Sequence, residues 1–209
     1  MSVVALQQVL RDPRIWRGPQ TATIATVASG HAALDDVLPG GGWPLGSLSE
    51  ILIEADGHGE LGLLLPALAR LSEGERPIVL VDPPYLPYPV ALAQAGMRSG
   101  RVHVVQTQGK DAWWAAEQCL SSAACAAVLC WPVNIDERGL RRLQLAAEAG
   151  HCLAFAFRNQ RMAAQSSPAS LRLRMQPDRR VEVPARVGQE ACDSAVNLAR
   201  RSFTHYSDP

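Results

Sequence analysis

Apolar positions recur along this chain in two rhythms, and their alternation sets the expected fold. Leu48 to Ile53 lies between two glycine-rich turns and predicts a buried strand. Leu61, Leu64, Leu65 and Leu68 then follow i, i+3, i+4, i+7 spacing, which predicts a helix. Pro66 falls inside it and would clash with the carbonyl four residues back, that of Gly62, where the helix can bend. PIVLVDPP (77–84) reads as a second strand running into a proline-rich loop, and residues 90–97 as a short helix. RVHVVQ (101–106), AAVLCW (126–131) and CLAFAF (152–157) read as further strands. Between them lie a helix capped by Asp111 and carrying Trp113, Trp114, Glu117 and Leu120, and the helix DERGLRRLQLAAEAG, which Gly150 should stop. LRLRM and RVEVP alternate around PDR, the pattern of a half-exposed hairpin. Residues 2–10 and 189–201 also suit helices.

Short apolar strands alternating with helices predict an α/β fold, with a mostly parallel sheet flanked by helices and a C-terminal β-hairpin extending it antiparallel. The chain divides into an N-terminal helix and linker (1–27), one α/β domain (28–187) and a C-terminal tail (188–209). At 209 residues one such domain has a substantial core. No apolar run is long enough to span a membrane, and the N-terminus has no basic start or cleavage site. The five cysteines, 119, 125, 130, 152 and 192, lack paired C-x-x-C spacing, so free thiols in a reducing cytoplasm are expected and a structural zinc is not. Net charge is zero but unevenly placed. Residues 1–157 carry 11 basic and 15 acidic side chains, and residues 158–209 carry 9 and 5. Every basic residue except Lys110 is arginine, which suits bidentate contacts with carboxylate or phosphate.

The stretch from Gly40 to Ser72 has the layout of a phosphate-binding loop: strand, glycine loop, helix N-terminus. Its chemistry is missing. Against G-x-x-x-x-G-K-[ST], Glu54 stands at the first glycine and Gly59 at the second, with Gly57 between them. Glu60 replaces the lysine that meets the phosphates, and Leu61 the hydroxyl that binds magnesium. The acidic pairs Asp35-Asp36, Asp136-Glu137 and Glu73/Glu75 fall at helix ends or loops, and the five histidines are scattered. No nucleophile, base and oxyanion donor assemble from the sequence.

Several segments carry a wider resemblance. SGHAALDDVLPGGGWPLGSLSEIL (29–52), GHGELGLLLPALARL (57–71), DPPYLPYPVALAQAG (82–96), AWWAAEQCL (112–120), CAAVLCWP (125–132), RRLQLAAEAG (141–150) and SPASLRLRM (167–175) together resemble the ImuA family. That family has a RecA-like fold, and the cell-division inhibitor SulA belongs to the same group. The resemblance implies a RecA-like core and a role in SOS-induced mutagenic translesion synthesis. It implies an ImuB-like, polymerase-related protein as partner, possible contact with RecA, and a weak contact with single-stranded DNA. In the place of a RecA-type ATPase's strand-end acid stands Trp131, so with Glu60 and Leu61 no catalysis is expected, and no cofactor or metal. A basic end to the last strand would match the family, but Pro184 to Gly188 read PARVG, and Arg200 and Arg201 in the tail are candidates to compensate.

Surfaces are left to carry function. Trp16, Trp43, Pro44, Tyr85 and Tyr88 are candidate partner contacts, because aromatic residues are enriched in interface hot spots. In RecA relatives the segments after the fourth and fifth strands face DNA, and Arg158 and Arg161, in the second of these, are candidate phosphate contacts, with Arg200 and Arg201. The reading from sequence is a non-catalytic adaptor. Its alternatives are a DNA-stimulated ATPase with a degenerate phosphate loop and a SulA-like division inhibitor.

Overall fold

The computed structural model describes residues 25–57, 59–107, 111–183 and 194–197. In chain order, β1 (Thr26–Val27), α1 (Ala32–Asp35) and β2 (Trp43–Pro44) lead into β3 (Ser47–Ile53) and α2 (Glu60–Ser72). Then come β4 (Ile78–Val81), α3 (Pro89–Gln94), β5 (Val102–Val105), α4 (Ala112–Ser121), β6 (Ala127–Cys130) and α5 (Glu137–Gly150). The chain continues through β7 (Leu153–Asn159), β8 (Leu171–Met175), β9 (Arg180–Val183) and β10 (Ser194–Asn197). β1 and β2 make a small antiparallel ribbon, and the other strands form one sheet in the order β5-β4-β6-β7-β3-β8-β9-β10. From β5 to β8 every pairing is parallel.

Period-two alternation along the parallel strands builds a core on each face. Ile78 and Leu80, Leu129 and Trp131, and Phe155 and Phe157 point into one layer with Leu63, Leu64 and Leu68 of α2. Val79, Val128, Ala154 and Ala156 point into the other, under Ala116 and Leu120 of α4 and Leu140 and Leu143 of α5. β7 thus puts Phe155 and Phe157 on the α2 side, and Ala154, Ala156 and Arg158 on the α5 side. The α2 layer also takes in Trp43, wholly buried and edge-on to Phe155 at 5.2 Å between ring centroids. Pro66 leaves α2 unbroken and packs against the turn at Gly30, which has φ +86; a Cβ on Gly30 would lie 2.4 Å from that of Pro66.

Four details differ from the sequence expectations. β9 is antiparallel to β8, with Arg174 opposite Glu182, but β8 itself runs parallel to β3, so antiparallel pairing begins one strand further out. Residues 194–197, expected to be helical, form β10 against β9, because Ala195 and Val196 continue the two-residue alternation beside Glu182 and Val181. Asp111 precedes α4 without a capping hydrogen bond from its side chain, its backbone already being helical, whereas Asp136 accepts the Gly139 N–H at 2.7 Å and caps α5. Gly150 does not stop α5 as a left-handed residue. It is the last helical residue, and His151, at φ 46 and ψ 47, makes the turn. The expected helix at 2–10 lies outside the described residues.

Gly150 is needed for closeness rather than flexibility. A Cβ there would lie 1.8 Å from the Leu120 carbonyl oxygen, so the end of α5 rests directly on the end of α4. Gly150→Ala should therefore cost at least about 2 kcal/mol of stability through forced backbone movement. Gly100→Ala, with open space around it, should change stability by less than about 0.5 kcal/mol. Urea unfolding of the two variants beside the parent chain checks both.

Candidate functional site

At the end of β3 the chain turns through Glu54, Ala55, Asp56 and Gly57 and enters α2 at Gly59, whose φ is +89. That is the geometry expected of a phosphate loop, and it aims the first turn of a long helix at the loop. Backbone N–H groups and the helix dipole favour an anion there. The anion is supplied by the chain itself. Glu60, the first residue of α2, is only 5 % exposed, and its Oε1 accepts the Gly57 N–H at 3.0 Å. Its other oxygen is buried without a hydrogen-bond partner among the described residues. Leu61 packs against the α2-side core, away from any magnesium role. From the β8–β9 turn Arg179 reaches over the same helical turn, and a Cβ on Gly59 or Gly62 would lie 3.0 or 2.5 Å from its Nη2.

Beside the loop, at the carboxyl ends of β3, β4, β6 and β7, lies a cleft of about 870 Å³. In open α/β sheets this is where ligands are taken up. Trp131, just past the end of β6, is buried there and stacked on Phe157 at 4.6 Å and 17°. Asp82 adopts φ 46, and its carboxylate accepts the Thr107 N–H at 2.6 Å and the Thr107 hydroxyl, so it is committed to holding the β4 and β5 ends together. Asn159 donates to the Glu54 carbonyl at 3.0 Å and accepts the Arg161 N–H at 3.0 Å. Asp56 completes the rim. Its partial burial, and then the Glu60 charge, push its carboxyl above the ordinary value. Among the described residues the cleft is lined by Asp56, Asp82, Asp136, Glu137 and Arg158, and Arg179 lies over the first turn of α2.

The wall of this cleft hangs on a buried ion cluster that the sequence does not reveal. Glu50, at the centre of β3, is fully buried. Arg158 of β7 donates to its Oε1 at 2.5 Å, and Arg172 of β8 to its Oε2 at 2.8 Å. The spare donors tie down the 160–165 turn: Arg158 reaches the Ile135 carbonyl and Gln165, and Arg172 reaches the carbonyls of Met162, Ala163 and Gln165. Burial alone would raise the Glu50 pKa, but hydrogen bonds from Arg172, Ser167 and Arg158 outweigh it and hold the carboxyl below its ordinary value.

This corrects one candidate: Arg158 is 6 % exposed and occupied by Glu50, so it is not available to DNA phosphates. Arg161 is exposed on the turn that follows. A second correction concerns Trp43 and Pro44. Both are buried, because β2 pairs with β1 and turns the tryptophan under the sheet, so neither offers a contact surface. Tyr85 and Tyr88 are 66 % and 68 % exposed, with Leu86 at 67 % between them. The Tyr85 ring leans on the glycine loop, 3.0 Å from where a Gly57 Cβ would stand, and α3, which follows, buries none of its residues. Trp113 lies under the Arg142 guanidinium at 4.8 Å, while Trp114 is exposed. Trp16, Arg200 and Arg201 fall outside the described residues. Sequence reasoning passed over Glu50, Arg172 and Arg179; a carboxylate inside a buried strand was the one available signal.

Comparison with known proteins finds no family model that matches and no match among curated proteins. Among solved structures the chain is similar to SulA from Pseudomonas aeruginosa, at 22% identity over 53% of this chain and 97% of that one, with a TM-score of 0.44. Among the described residues, no helix is long and apolar enough to cross a membrane.

The ion cluster makes a pH prediction. Glu50 has a depressed pKa in the fold, so its stabilisation should be complete above its unfolded value of about 4.5 and lost as pH falls through the lower folded value. Glu50→Gln should be less stable at pH 7 by about 3–5 kcal/mol, since it leaves a buried arginine charge without its counter-ion. The gap between variant and parent should narrow below pH 4.5, as followed by urea unfolding across an acid series.

Proposed function

We propose that this chain is a catalytically silent, RecA-like adaptor in SOS-induced mutagenic translesion synthesis, bridging an ImuB-like protein and RecA. The observation that carries the silent part is Glu60. Its carboxylate accepts a loop N–H where a phosphate would sit, and it would repel a triphosphate approaching the same helix end. Phosphoryl transfer depends on positioning and charge neutralisation; Glu60 and Leu61 stand at the lysine and hydroxyl positions, and Asp82 at the end of β4 is taken up by Thr107. The adaptor part rests on the resemblance of the quoted segments to the ImuA family, together with the solvent-facing Tyr85-Leu86-Pro87-Tyr88 loop. Exposed apolar residues clustered in this way suit a protein contact.

The test is complex formation with an ImuB-like protein, in the full chain and in a Tyr85→Ala/Tyr88→Ala variant. The complex should form, and the double variant should bind at least about tenfold more weakly while keeping its circular dichroism and unfolding midpoint. Absence of any complex would overturn the adaptor reading. Binding to a tubulin-like division protein in its place would favour a SulA-like inhibitor. An unweakened double variant would move the interface away from this loop.

A further inference from the structure

The cysteines among the described residues are unevenly placed. Cys130, at the end of β6, is buried, and its thiol donates to the Phe155 carbonyl at 3.5 Å. Cys119, Cys125 and Cys152 gather instead at the opposite end of the same strand, where α4 ends and β6 and β7 begin. Past the end of α4 the Ser122 hydroxyl donates to the Cys119 carbonyl at 2.8 Å, and Ala123, at φ 57, turns the chain back. The chain rejoins the sheet where the Ala126 N–H donates to the Pro77 carbonyl at 2.8 Å, which sets Cys125 beside Arg76. This turn brings two sulfurs together, and the Cys119 thiol donates a hydrogen bond to the Cys125 sulfur. Residues 121–124 are exposed, Cys119 is partly exposed, and Cys125 and Cys152 are buried. Cys152 has its own acceptor, the Leu120 carbonyl at 3.8 Å.

We propose that Cys119 and Cys125 form an oxidation site that takes a hydroperoxide and closes to a disulfide, tying the end of α4 to the start of β6. The hydrogen bond from Cys119, helped by the Arg76 charge, outweighs burial and brings the Cys125 thiol down to about 7, while the same hydrogen bond pushes Cys119 up. Above about pH 7 the two sulfurs therefore share one proton. Cys119, the partly exposed member, meets the peroxide. As its sulfur attacks one peroxide oxygen, its proton passes to Cys125, the O–O bond breaks and hydroxide leaves, so Cys119 becomes a sulfenic acid. The Cys125 sulfur then attacks that of Cys119. The S–O bond breaks, the Cys125 proton goes to the departing hydroxide, and water leaves. Each sulfur has given up one electron, and the peroxide oxygens have taken the two. Cys152 is a weak competitor, because burial pushes its thiol up to about 11. Nor does the cluster suit a structural ion: among the described residues no three His, Cys, Asp or Glu side chains could hold a metal. The inference is independent of the adaptor reading.

The probe is hydrogen peroxide, added in small excess to the reduced full chain and followed by intact mass and peptide mapping. The chain should lose two hydrogens, the mapped bridge should join Cys119 to Cys125, and dithiothreitol should restore the starting mass. The rate should rise with pH and level off above about 7. At neutral pH it should exceed several-fold the rate of the same chain unfolded in urea, where the two thiols lose their arrangement. Cys125→Ser should stop at a sulfenic acid on Cys119 that dimedone captures. Cys119→Ser, at a partly exposed position, should keep the parent circular dichroism and form no bridge, which decides the matter even where Cys125→Ser does not fold. A bridge to Cys152 or Cys192, sulfinic acid on Cys119 without a bridge, a rate with no step near neutral pH, or bridging no faster than in the unfolded chain would overturn the proposal.

Discussion

One buried carboxylate holds the working end of this fold together. Glu50 sits on a parallel strand with neighbours on both sides, where a charge cannot be left unpaired. β7 answers with Arg158 and β8 with Arg172, and the pairing register places Arg172 directly opposite Glu50. Together they fasten three strands and the 160–165 turn into one unit. Such a cluster is a poor source of stability compared with apolar packing, but it specifies which strand lies beside which. It also removes Arg158 from the surface. The cleft above therefore has a negative rim, although an arginine is part of its wall.

The glycine loop shows the same economy of charge. A loop with a left-handed glycine leading into a helix presents donors that need an acceptor. In a nucleotide-binding protein the acceptor is a phosphate. Here the first helical residue folds back and fills that need, while Arg179 lies over the helix turn beside it. Replacing lysine by glutamate thus does more than delete a phosphate contact. It gives the Gly57 N–H an acceptor from the chain itself, and under the proposed reading its charge repels a triphosphate. Beside it, Tyr85 and Tyr88 of the 83–89 loop face solvent.

How much was legible in the sequence follows from the range of each interaction. The strands and helices of the domain announce themselves locally through periodicity, and the Glu60 and Leu61 substitutions through motif position. The Glu50 cluster joins side chains 108 and 122 positions apart, and no local pattern reports that. Arg158 looked like a free cation because its partner is on another strand. Trp43 was a candidate contact by its aromatic type alone, yet β2 pairs with β1 and the tryptophan is wholly buried. Residues 194–197 looked helical in isolation and became a strand because β9 offers an open edge. Asp111 and Gly150 have the residue types of caps without acting as such, since the local backbone and the neighbouring helix decide.

The central claim is that a folded-in carboxylate has closed the nucleotide site. Calorimetric titration of the full chain with Mg-ATP, paired with a phosphate-release assay with and without single-stranded DNA, tests it most directly. The account predicts no saturable heat and no DNA-dependent release of phosphate. Saturable binding of Mg-ATP, or turnover that rises with DNA and tracks the protein through purification, would contradict it and make the phosphate loop a working site.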